Sequence, residues 1–319
     1  MNRPILLLLV ALVLAAPLSL LAGRVWLDPF ADLSPNDLTI LLDLRLPRVI
    51  LAVTLGAGLG AAGAAMQGYL RNPLADPGLF GIAPGAALGA VLSFWTGWAA
   101  SAWTLPLFAL IGAGLAMALL GVIAGRTGSA MLFTLAGMMI ASLAGALMSL
   151  AISLAPSPFA MSEIVTWLMG ALTDRSWQEA SFAVPLTLTG IAVLMFAGKA
   201  LDALSLGEAA ARSLGVEPRQ LQVLMIVGIG LTVGAGVAAA GIIGFVGLIV
   251  PHLLRRFTDQ RPSSLILPSA LAGALLLLVA DSLCRVLPLA SELRLGIALS
   301  LLGAPFFLGL LLRIRKGLA

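Results

Sequence analysis

Cysteine, histidine and tyrosine occur once each in these 319 residues. A lone cysteine, Cys284, cannot close an intrachain disulfide, and one thiol with one imidazole, His252, gives no ligand spacing for zinc, haem or an iron–sulfur cluster. Cys284 reads as a small packing residue and His252 as a capping or loop-orienting one. Charge is also sparse: Asp, Glu, Lys and Arg make up 10% of the chain, against about 25% in a soluble domain. The Lys and Arg residues gather at the ends of apolar runs and not on one face, which excludes a nucleic-acid surface. The nucleotide motif G-x-x-x-x-G-K-[ST] is missing; residues 121–128 have the glycines but no lysine and read as a helix end and turn.

What fills the space is apolar. Hydrophobic residues are 61% of the chain and the mean hydropathy is +1.10. The runs have helix length, so the expectation is an all-α membrane protein, not a barrel. Ten spans are read: 4–22, 49–68, one opening at Gly81, 105–123, 130–154, 179–198, 221–239, one ending at Pro251, 264–284 and 295–312. The first run is long enough to be a retained span and lacks a clean cleavage site. Assigned this way, Lys and Arg favour one side by roughly two to one, which puts both the amino and carboxyl termini in the cytoplasm. The whole of 1–319 reads as one transmembrane domain, with a periplasmic segment at 23–47. Gly56, Gly60 and Gly63, then Gly81, Gly85 and Gly89, give small-residue stripes that let helix backbones approach closely. Trp167 and Trp177 read as interfacial anchors around a short surface helix at 163–172. Met138, Met139, Met148, Met161 and Met169 read as flexible packing, with the lining of a passage or contact with a metal complex open beside it.

The most polar stretch of the second half, 201–220, lies between two spans on the cytoplasmic side. Ser205 and Glu208 have capping-box spacing, Glu208 and Arg212 are an i,i+4 pair, Gly215 stops the helix and Pro218 starts the next. Two short helices outside lipid suit a docking surface for a soluble partner; a solvated loop with incidental helicity stays open as the alternative. Within the spans, ionisable groups are nearly absent. Asp281, with Arg285 at i+4, reads as an ion pair at a helix end. A chain with neither a nucleotide motif nor a proton relay must receive energy from another protein if it moves anything uphill. A stand-alone carrier driven by an ion gradient is the second reading, and it would require Asp281.

The stretches 45–90 (RLPRVILAVTLGAGLGAAGAAMQGYLRNPLADPGLFGIAPGAALGA), 167–177 (WLMGALTDRSW), 201–216 (LDALSLGEAAARSLGV), 240–255 (AGIIGFVGLIVPHLLR) and 302–313 (LGAPFFLGLLLR) resemble the FecCD/BtuC family of ABC-importer permeases, in order and over nearly the whole chain. The resemblance implies a type II ABC-importer permease in the bacterial inner membrane: a non-enzymatic homodimer, two cytoplasmic ABC ATPase subunits that hold the ATP and magnesium, and a periplasmic substrate-binding protein. No cofactor and no nucleic acid is implied for this chain. The implied cargo is a metal chelate, iron–siderophore first, with haem or cobalamin as further members. The resemblance makes 201–220 the coupling helices, with Gly207, Glu208, Arg212, Leu214 and Gly215 carrying the match, so that changing Glu208 and Arg212 is expected to uncouple hydrolysis from uptake. It makes Arg45, Arg48 and Arg285 exposed docking points for acidic residues of the binding protein, and Asn72, Leu74, Ala130 and Met131 the inner constriction of the passage. Ala130 and Met131 depart from the small hydroxylated residues of the family's cobalamin member, and Arg294 stands where the family has proline.

Overall fold

The structure, a computed structural model, describes residues 3–28, 32, 34–96, 103–125, 129–289 and 291–318, without the side chains at 79 and 313–318. The turn at 126–128 and the side chains of Arg313, Arg315 and Lys316 lie outside the described residues. Every regular element among those described is helical, as lipid demands of a backbone that can satisfy its own hydrogen bonds only internally.

The helix at the centre is α3 (Leu46–Tyr69), buried on nearly every face. It lies against α14 (Pro262–Val286) with backbones in contact: a Cβ on Gly60 would collide with the Ser269 carbonyl, and one on Gly56 with the Gly273 carbonyl. The expected glycine stripe is thus realised, and Gly63 meets the backbone of Gly247 in α13 (Val246–Leu254). The approach to α3 is more helical than the reading of 23–47 as a polar segment allows. Ser34 caps α2 (Pro35–Thr39) in a full capping box with Asp37. A π turn, Ile40–Arg45, then widens the helix just before Pro47, whose ring disfavours a regular turn behind it.

A second backbone contact joins α4 (Ile82–Trp95) to α5 (Thr104–Ala124), where Gly85 meets Gly112 and Gly89 meets the Phe108 carbonyl. The remaining helices are α1 (Arg3–Leu21), α6 (Ala130–Ser153), α7 (Pro158–Leu168), α8 (Trp177–Phe196), α9 (Gly198–Ser205), α10 (Glu208–Ser213), α11 (Pro218–Ile229), α12 (Ala235–Ala240) and α15 (Leu295–Leu318). Burial divides them into layers: 83% of the α3 span is buried but only 6% of α1. The exposed leucines of α1, α5, α8 and α15 give these helices an apolar outer surface suited to lipid.

Among the described residues eight helices are long and apolar enough to cross a membrane, where the sequence reads ten spans. The other two are present but short. Helix α4 has 14 residues and α13 has 9, about 21 and 14 Å at 1.5 Å per residue. Helices α11 and α12 form one span through a π turn at Gly230–Gly234, and the chain then breaks before α13. Protein meets the start of that break: Ala171 N donates to Ala240 O at 2.8 Å. Helix α7 starts five residues ahead of the predicted surface helix, because Ser157 accepts from Ala160 N and Pro158 takes the first turn. Trp167 is no interfacial anchor: it is buried, edge-on to Phe94 at 6.3 Å. Trp177 is exposed, with its indole N–H on Leu42 O at 3.0 Å.

Candidate functional site

At one end of the bundle α3 stops at a tight turn. Arg71 takes a left-handed conformation, φ 50°, and Asn72 N returns to Gln67 O at 3.1 Å, a helix-closing pattern. Asn72 Oδ1 then accepts from Leu74 N at 3.0 Å and fixes the next turn. Across from it α6 begins, where Ser129 accepts from Leu132 N. The two segments face each other over a cavity of about 540 Å³ that brings together Asn72, Leu74, Ala130 and Met131, joined by Thr134, Met138 and Ser142. Asp76 sits on its wall and also on that of a smaller cavity under Phe245. Burial pushes the Asp76 carboxyl above the ordinary range, and the hydrogen bond from Gly78 N, at 2.7 Å, offsets part of that. Sequence reasoning missed Asp76, Thr134 and Ser142, since their relation to Asn72 exists only in three dimensions. Of the methionines, Met138 lines the cavity and Met148 packs on the core.

Beside this end lies the pair α9 and α10. The predicted cap is corrected: Ser205 is the last residue of α9 and donates to Asp202 O at 2.6 Å. The residue that starts α10 is Gly207, at φ 107°, a conformation that strains any side chain. Glu208 does not reach Arg212 either. It faces Arg71 at 3.8 Å, because α10 lies over the end of α3. Gly215, at φ 83°, ends α10, and Pro218 opens α11, as expected. Leu206 and Leu214 project 68% and 64% exposed, while Ala211 is buried beneath. Asp202, a residue no local signal picks out, ties the pair to α14 by accepting from Ser263 N at 2.8 Å and from Ser263 Oγ at 2.5 Å. A carboxylate at the first turn of α14 also suits its helix dipole.

The three arginines expected to be exposed lie at the other end and are corrected. Arg45, Arg48 and Arg285 are 7%, 8% and 4% exposed. Burial at that depth is tolerable only because carbonyls and carboxylates surround them. Arg45 donates to Leu20 O and Leu21 O, both at 2.8 Å, and to Val25 O. Arg48 grips Asp281 with Nε and Nη2 at 2.9–3.0 Å and reaches Glu292 at 2.9 Å. Arg285 faces Asp281 at 3.6 Å and donates to Ser19 Oγ at 2.8 Å. The i,i+4 pair of Asp281 and Arg285 is therefore present, with Arg48 as the closer partner. Glu292 also accepts from Thr173 at 2.9 Å. Burial raises its carboxyl, but the charge of Arg48 and the hydrogen bonds from Arg48 and Thr173 outweigh that and hold it below the ordinary range. Near it, Arg175 and Arg294 line a cavity of about 270 Å³ with Glu163 and Asp174. Cys284 packs in this region, buried. His252 lies edge-on to Phe306 at 5.9 Å, and its buried Nδ1 has no hydrogen-bond partner among the described residues.

With eight described helices long and apolar enough to cross a membrane, a broken helix pair and two short exposed helices in place, relatives become informative. The chain is 36% identical to the vitamin B12 import system permease protein BtuC of Yersinia enterocolitica, over 99% of this chain and 94% of that one. It is 38% identical to the protein of the same description in Salmonella paratyphi A, over 94% and 92%. Among solved structures it matches an inward-facing metal-chelate type ABC transporter with a TM-score of 0.89 at 32% identity, covering 97% of this chain and 98% of that one. PsaBC of Streptococcus pneumoniae, solved with a Fab, shares the fold at a TM-score of 0.54 and 19% identity. The FecCD transport family matches residues 5–313, and the chain belongs to that family, as a multi-pass ABC-transporter permease of the bacterial inner membrane.

Proposed function

We propose that this chain is the membrane-spanning subunit of an ATP-driven importer that carries a metal chelate from a periplasmic binding protein to the cytoplasm. Two copies form the conduit, with ten membrane-embedded helices each and cytoplasmic termini. Two ABC ATPase subunits, with their ATP and magnesium, dock on the α9–α10 pair. The observation that carries the reading is the placement of that pair, with two projecting leucines and no lipid-like surroundings, against the end of α3 that opens onto the 540 Å³ cavity. A short exposed helix cannot be stable by itself, and Leu206 and Leu214 gain most by entering a cleft in another protein. ATP-driven closure of the partner would then drag the pair and rock the two copies.

The cargo class follows from the relatives' vitamin B12 and metal-chelate descriptions. Iron–siderophore, haem and cobalamin share a bulky, partly apolar envelope suited to a cavity with methionine on its wall. The ion-gradient alternative loses its proton carrier: Asp281, 1% exposed, is gripped by Arg48 on both oxygens. The test is to replace Leu206 and Leu214 with aspartate in the complete importer. The ATPase subunits should no longer co-purify and uptake should cease, while the variant chain still enters the membrane. Full uptake by the variant, or concentration of cargo by the purified chain alone, contradicts the proposal.

A further inference from the structure

We infer that Arg71 is the positioning residue that links the docking helices to the inner cavity, through a contact with Glu208 that forms and breaks during each cycle. This rests on the importer reading above and adds the route by which the motion reaches the cavity. Four observations carry it. Arg71 Nη2 and Glu208 Oε1 stand 3.8 Å apart, each side chain close to half exposed, so the pair is weak and easily broken in water. Arg71 occupies a left-handed turn, φ 50°, and the next residues, Asn72 and Leu74, line the cavity; a shift of its side chain acts on a turn already under backbone strain. Ala130 lies on the wall of that cavity and also on the wall of the small space beneath α10 that Arg71 and Glu208 share. It is a common boundary for both. Finally, the other end of the pair is fixed, because both carboxylate oxygens of Asp202 are taken up by Ser263 at the start of α14. One tight anchor and one loose contact make a lever: α9 is held at Asp202, and α10, hinged on it at Gly207, carries Glu208 against Arg71.

The charges make the inference testable by exchange. Arg71→Glu, Glu208→Arg and the double variant are assembled with the ATPase and binding protein in vesicles. Leu74→Cys, in a Cys284→Ser background, reports cavity access through its rate of labelling by a maleimide with and without nucleotide. Each single variant should consume about fivefold more ATP per cargo delivered, the size of an ordinary coupling between sites, and labelling at position 74 should lose its nucleotide dependence. The double variant should regain both, which a merely structural role for Arg71 does not predict. Arg71→Gln gives a milder version should the reversal fail to fold. Wild-type stoichiometry and nucleotide-dependent labelling in Arg71→Glu overturn the inference and leave the importer reading standing. Failure of the unaltered chain to couple uptake to ATP overturns the importer reading itself.

Discussion

Asp281 holds two guanidiniums in a place where water cannot. Removing its charge leaves Arg285 buried without a carboxylate and Arg48 with Glu292 alone, so Asp281→Asn should cost about 3–5 kcal/mol, the usual penalty for breaking a buried pair. Melting in detergent reads this. Glu292 adds a pH dependence. Its carboxyl is held below its ordinary value of 4.5, so its stabilising contribution is complete above that pH and is lost as pH falls through the depressed folded value. The melting temperature should therefore drop on acidification below about pH 4.5, and Glu292→Gln should flatten that drop. At this scale the sequence was half legible. Asp281 and Arg285 are four apart and can be paired by eye, whereas Arg48 lies 233 positions away and no local pattern announces it. The expectation of exposed arginines failed for the same reason: burial depends on which carboxylates and carbonyls the fold brings near.

The elements on the solvent side show where local rules succeed and where they are overruled. Gly215 and Pro218 end and begin helices as their backbone chemistry requires. Ser205 and Glu208 match a capping box by spacing, yet α9 runs through Ser205 because its apolar face, Leu201 and Leu204, is buried against the bundle. The corner then falls to Gly207. Open space surrounds a Cβ added there, so substitution is opposed by backbone conformation alone. Gly207→Ala should cost about 1–2 kcal/mol of local order and weaken retention of the ATPase subunits, measured by co-purification, with overall melting nearly unchanged. Proximity of Glu208 to Arg71 was hidden because it depends on how α10 lies across α3, which packing decides and propensity does not.

For the molecule as a whole, hydropathy found every long helix, since length and apolarity are all a span requires. The two further spans it reads, α4 and α13, are apolar helices of 14 and 9 residues, too short to stand out by length. The glycine stripe of α3 predicted close packing without naming the partner, which proved to be α14. Gly60→Ala should therefore overpack that junction and lower the yield of folded protein by an amount equivalent to about 1–3 kcal/mol. Gly114→Ala, where open space awaits the added atom, should leave the yield unaltered. Expression of fluorescent fusions sorted by size-exclusion profile would separate the two.

The joint between α1 and α14 has a consequence for biogenesis. Ser19, buried near the end of α1, receives Arg285 from 266 positions downstream. A chain made from its amino terminus releases α1 into the membrane long before that arginine leaves the ribosome. Until then the first helix floats as a solitary rod with one hydroxyl in hydrocarbon, a modest burden that a lone serine can bear. The arginine could not wait in the same way, and on arrival it finds its acceptor already inserted. The seam between α1 and α14 thus joins stretches made far apart in time, and at this joint the charged partner is the one synthesised late.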